Sequence, residues 1–165
     1  MSVNRERGVS LVEVLVALVV LSVGLLGVAA LLVQSVQGTR TALYRTKAVN
    51  LVSDMADRIR ANAVAGVAYA GAGAVNACQS TADALSAPCT ADQLAADDLA
   101  RWRTDIQDSF PRVSNAIPAG TVEFFAGAPQ TFRVSLAWQE PPTTQNGAPN
   151  SYNYSADLVL MPRLP

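Results

Sequence analysis

Glu13 is a carboxylate set inside an apolar run, VSLVEVLVALVVLSVGLLGVAALLV, from Val9 to Val33. After it come twenty residues, Val14 to Val33, with no charge and no Pro, and with Ser22 as the one hydroxyl. At 1.5 Å per residue a helix of that length crosses a hydrocarbon core of about 30 Å. A carboxylate at the centre of such a helix costs ~2.5–3.5 kcal/mol, and less near an end. Two uses of Glu13 are therefore open. It can snorkel to the interface, or it can pair with a cation supplied by a neighbouring chain.

Other groups narrow the chemistry by what they exclude. There is no His, which removes Ser-His-Asp triads, Cys-His pairs and His-based zinc sites. Two cysteines, Cys78 and Cys89, are too few for a structural zinc site. They close a loop of about a dozen residues, and outside the cytoplasm a disulfide there is worth roughly 3 kcal/mol in the chain-entropy model. Asp97 and Asp98 are adjacent carboxylates, read with Asp92 as a solvated helix N-terminal turn rather than as acid catalysts or metal ligands. Gly66, Gly71 and Gly73 lack a following GK[ST] and a preceding strand, so they do not make a phosphate loop. No catalytic residue, metal or cofactor is expected. With 12 Lys+Arg against 13 Asp+Glu there is no basic excess to point to nucleic acid.

The elements that hold these groups follow from periodicity. Beyond Val33 the pattern turns amphipathic, with Tyr44, Ala48, Leu51, Val52, Met55 and Ile59 at spacings of three and four. This predicts that one helix continues to Ala61 and offers that face to a core. Residues 62–77 are almost all small and read as a loop or short helix. Thr90-Ala-Asp-Gln93 is a capping box opening a helix with Ala95, Leu99, Trp102 and Ile106 on one face. From Thr121 the period becomes two, predicting strands at Thr121–Phe125, Thr131–Trp138 and Tyr152–Met161. A turn is expected at Gly127–Pro129 and a surface loop at Glu140–Asn150. Gly24 and Gly27 fall inside the first helix, where they ease close packing or bending.

Gly8-Val9-Ser10-Leu11-Val12-Glu13 and the apolar run after it resemble the class III leader and first helix of type IV prepilins. The resemblance implies cleavage after Gly8 by a prepilin peptidase and N-methylation of the new terminus, Val9, where the family usually has Phe. It also implies that Glu13 is the assembly carboxylate that neutralises the Val9 amine of a staggered neighbour. Arg5 and Arg7 keep the leader in the cytoplasm by the positive-inside rule. The string PCTADQLAADDLARWR resembles a second signature, that of the PilV-type minor pilins.

The expected fold is α+β and pilin-like, a long N-terminal helix packed on a small antiparallel sheet. Its parts are a leader (1–8), a membrane or fibre-core helix (9–33), the amphipathic half of the same helix (34–61) and a periplasmic head (62–165). The function implied is a non-catalytic minor pilin in an initiating tip complex, supporting adhesion or twitching motility. Its partners would be other minor pilins, the major pilin, the prepilin peptidase, the inner-membrane assembly platform and a tip adhesin. It would sit in the inner membrane by a single pass and then in the extracellular pilus. One alternative is a type II secretion pseudopilin. Another is a membrane-anchored binding module with Tyr69, Trp138 and the Pro-rich loop as exposed ligand residues.

Overall fold

A computed structural model describes residues 10–76, 78, 89–127, 129–142 and 147–160. Helix α1, Leu11–Ala61, runs through two compact units, residues up to Arg40 and residues from Thr41 on.

In the first unit every described side chain is exposed, and the large apolar ones from Leu11 to Val36 range from 48% to 82% accessible. An all-round apolar helix with nothing over it is the pattern of a segment whose solvent is not water. Between Val14 and Val33 the one hydroxyl is satisfied within the helix, Ser22 Oγ donating to the Val19 carbonyl at 2.8 Å. Lipid imposes that requirement on every polar group. The mean hydropathy of this stretch reaches 2.9, high enough for a membrane span.

In the second unit α1 buries Ala48, Val52, Met55, Ala56 and Ile59, with Tyr44 and Leu51 half-buried. This is the expected face, widened by Ala56. A 3-10 helix, Ala63–Ala70, follows and is broken at Gly66, whose φ of 48° and ψ of −120° suit only glycine. Helix α2, Ala91–Ser109, starts at the expected capping box: Thr90 accepts from the Gln93 N–H and the Gln93 side chain accepts from the Thr90 N–H. Its face of Ala95, Leu99, Trp102 and Ile106 is wholly buried.

Three strands, β1 (Ala119–Phe125), β2 (Gln130–Glu140) and β3 (Asn150–Leu160), form an antiparallel sheet in the order β1-β2-β3. Register runs unbroken from Gln130↔Leu160 to Glu140↔Asn150. Phe132, Val134, Leu136 and Trp138 of β2 point inward and join the α1 and α2 faces in one core. The long helix thus packs on a small sheet, as the sequence predicts.

Gly120 of β1 is what lets α2 come so close, since a Cβ there would stand 2.4 Å from the Trp102 ring. The ring's Nε1 in turn donates to the Leu51 carbonyl at 2.8 Å, tying α2 to α1.

Three expectations change. Glu140 is not loop but the last residue of β2, buried and held by Thr41 Oγ1 (2.6 Å) and Trp138 Nε1 (3.1 Å). Tyr69 and Trp138 are not exposed ligand residues, because both are packed in the core. Asp97 and Asp98 are not solvated, being 0% and 5% accessible. Met161 and Ala128, part of the expected third strand and hairpin turn, lie outside the described residues.

Candidate functional site

Glu13 sits in the first turn of α1, where a negative charge complements the positive end of the helix dipole. The Ser10 carbonyl accepts from the Glu13 N–H (3.0 Å) and the Val14 N–H (3.3 Å), so the helix is already formed where the carboxylate projects. Glu13 is exposed among exposed apolar neighbours, Leu11, Val12, Val14 and Leu15. A carboxylate on an otherwise apolar surface can do one thing well, which is to receive a cation when that surface is covered. Gly8 and Val9, the expected cleavage pair, lie outside the described residues. Gly24 and Gly27 have open space where a Cβ would stand, so a neighbouring helix could approach there.

The second constellation lies in the head. Arg58 of α1 bonds Asp54 (2.9 Å) and Asp98 of α2 (3.1 Å). Tyr69 donates from its hydroxyl to Asp98 Oδ2 at 2.9 Å. Burial would lower the Arg58 pKa, but the Asp54 charge and the hydrogen bonds to both aspartates raise it overall. Burial pushes the Tyr69 hydroxyl well above its ordinary range. Asn62 opposes this and Asp98 adds to it.

Asp97 accepts from Arg101 Nε (2.8 Å) and from the Asn76 backbone N–H (2.8 Å). The adjacent carboxylates are therefore structural pins, each facing a different cation. Asp98 could have been suspected from sequence: three residues after Ala95 and four before Trp102, it falls inside the apolar stripe of α2.

Cys78 and Cys89 form the expected disulfide, with Cα atoms 5.7 Å apart. Its two ends are held independently, by Asn76 on Asp97 and by the Thr90 capping box. Arg103 adds bonds to the carbonyls of Gly71, Ala72 and Gly120. On the outer face of the sheet Arg133 and Asp157 pair through two bonds, which lowers the Asp157 pKa. Among the described residues no three His, Cys, Asp or Glu side chains come together to hold a metal ion.

Two family models match the chain. Residues 3–29 match the prokaryotic N-terminal methylation motif, and residues 30–100 match the model described as type IV pilin Tt1218. No curated protein and no solved structure matches. The two family matches meet end to end and support a type IV pilin, a family of structural, non-catalytic subunits. A pilin with this motif implies processing by a prepilin peptidase and assembly with other pilins, and its apolar helix suggests membrane anchoring.

Proposed function

We propose that this chain is a minor pilin of a type IV pilus, most like the PilV type, acting in the complex that initiates the fibre and stays at its tip. It enters the inner membrane by α1 with the head in the periplasm and is cleaved between Gly8 and Val9. Val9 is then N-methylated. In the fibre, Glu13 takes the Val9 ammonium of a neighbouring subunit, and the apolar surface of α1 is covered by the same residues of other chains. Major and minor pilins, the assembly platform and a tip adhesin are its partners, and adhesion and twitching motility its outputs.

The observation that carries this reading is the first half of α1: an uncovered apolar helix with one carboxylate at its start. A simple anchor needs the apolar length but has no use for that charge. The PilV assignment and the tip position rest on the disulfide loop and the Thr90-capped Trp102 helix.

Intact-mass analysis of the protein from its native membrane tests the reading. Wild type should lack residues 1–8 and carry one extra methyl on Val9, and Gly8→Ala should retain the leader. An uncut wild-type chain in cells with an active prepilin peptidase would falsify the proposal.

A further inference from the structure

Between Tyr69 and Ala91 no described residue belongs to the apolar core, so the stretch that carries both cysteines is held by polar contacts. Those contacts follow one another along α2. The carbonyls of Gly71 and Ala72 accept from Arg103, which also donates to the Gly120 carbonyl of β1. Gly73, at a φ of 79°, lies so close to the helix that a Cβ would stand 3.0 Å from the Ala100 nitrogen and from Leu99 Cβ. The Ala74 N–H donates to the Ala96 carbonyl at 2.9 Å. The Asn76 N–H donates to Asp97 Oδ1 at 2.8 Å, and its side-chain amide to the Gln93 carbonyl at 3.0 Å. Residues 71–76 therefore run back along α2, from Arg103 toward its N-terminus. That end is fixed by the Thr90 capping box, and Cys89 is the residue before Thr90. Cys78, two residues past Asn76, is brought to it. Both cysteines are half-buried with Cα atoms 5.7 Å apart, although 11 positions separate them in sequence. None of the contacts that bring them together uses a sulfur atom.

We infer that the head folds with Cys78 and Cys89 as free thiols and closes the bond afterwards, by exchange with the disulfide of an oxidised carrier protein in an oxidising compartment. The inference stands on the head alone and holds whether or not the chain is a pilin. One cysteine thiolate attacks a carrier sulfur, and the other carrier sulfur leaves as a thiolate. The second cysteine, deprotonated in turn, attacks its partner's sulfur in the mixed disulfide and expels the carrier. The head gives up two protons and two electrons, and the carrier ends as a dithiol. What the fold supplies is proximity. In an unfolded chain the two thiols meet only as often as loop closure allows. In the folded head α2 holds both stems, which raises the effective concentration of one thiol at the other. For a loop of about a dozen residues the gain is about a hundredfold, and the closed bond stabilises the fold by the same factor.

The test uses the full chain in detergent micelles, equilibrated in glutathione buffers and trapped by alkylation, with intact mass counting the free thiols. The ratio of squared reduced to oxidised glutathione at which half the chains are closed should be about a hundredfold higher for the folded head than in denaturing urea. Equal midpoints overturn the inference. Hydrogen exchange on the double variant Cys78→Ser with Cys89→Ser reads the fold without the bond. Its Ala74 and Asn76 amides should stay protected to within about tenfold of wild type. A variant in which they exchange at the unfolded rate, or whose head does not fold, overturns the inference, because the bond would then make these contacts rather than follow them. Asn76→Ala removes an exposed side chain with its bonds to Gln93 and Ala74. It should lower the folded midpoint about fivefold and leave the midpoint in urea unchanged. A folded midpoint that does not move overturns the part given to the α2 contacts.

Discussion

Helix α1 puts two kinds of surface on one backbone. From Leu11 to Val36 its apolar residues face in every direction and are all exposed. From Ala48 to Ile59 they keep to one side and are buried under α2 and the sheet. The apolar content of the first stretch is the greater, yet none of its described residues is buried. What differs is the placement of polar residues. Arg45, Asp54, Asp57 and Arg60 confine the second apolar face to a stripe that a small domain can cover. The first stretch has no such limit and can be satisfied only by lipid or by other chains.

Breaking the pin that only the second region has should cost most. Asp98→Ala leaves Arg58 and the Tyr69 hydroxyl facing an emptied, largely buried site. Removing one partner of a buried pair typically costs ~3–5 kcal/mol, and the Asp54 bond that Arg58 keeps sets the loss toward the lower end of that range. Chemical denaturation of the full chain in detergent, followed by near-UV circular dichroism of the aromatic core, should show the midpoint fall sharply. An unchanged midpoint would mean the pin is ornamental.

The comparison itself is tested by deleting similar apolar mass on either side of it. Met55→Ala empties a wholly buried position and should destabilise the head by about 2–5 kcal/mol. Leu25→Ala, at a position 61% exposed, should leave the same transition in place to within ~0.5 kcal/mol. Equal losses from both would show that the first region supports the head after all.

The smallest effect should be on alkaline stability. Tyr69 is neutral in the fold and its pKa there lies above the unfolded value of about 10. Its contribution is fully present below pH 10 and is lost as pH rises from there through the folded pKa. Arg58, also raised, acts in the same sense at higher pH still. Tyr69→Phe should be somewhat less stable at neutral pH for want of its hydrogen bond. Its stability should decline less than that of wild type above pH 10, in a denaturation series across that range.

Much of this was legible in the sequence. A twenty-residue run, a 3.6 period, a capping box and a change to period two are local patterns, and each placed its element to within a few residues. Glu13 stood out because its neighbours are uniformly apolar. Other features depend on what meets across the fold. Asp97 and Asp98 read as solvated because charge at a helix start is usually so; their burial needs Arg101, Arg58 and Tyr69, of which only Arg101 is near in sequence. Tyr69 lies in a run of Ala and Gly with no period to mark a core position. Glu140 opens a Pro-rich stretch and looked like loop, yet the alternation of β2 carries it inward to Thr41. The closeness of Gly120 to Trp102 left no local sign at all.

The Thr41–Glu140 hydrogen bond joins residues 99 positions apart. A ribosome adding about 5–20 residues per second needs roughly 5–20 seconds to make the second after the first. During that interval the stripe from Ala48 to Ile59 has been synthesised while the strands that cover it are still being made. The sheet itself is a meander of neighbouring hairpins and closes quickly once present. The earliest segment of the head to be synthesised is therefore the last to be shielded, and this stripe is the apolar surface that a nascent chain leaves open longest.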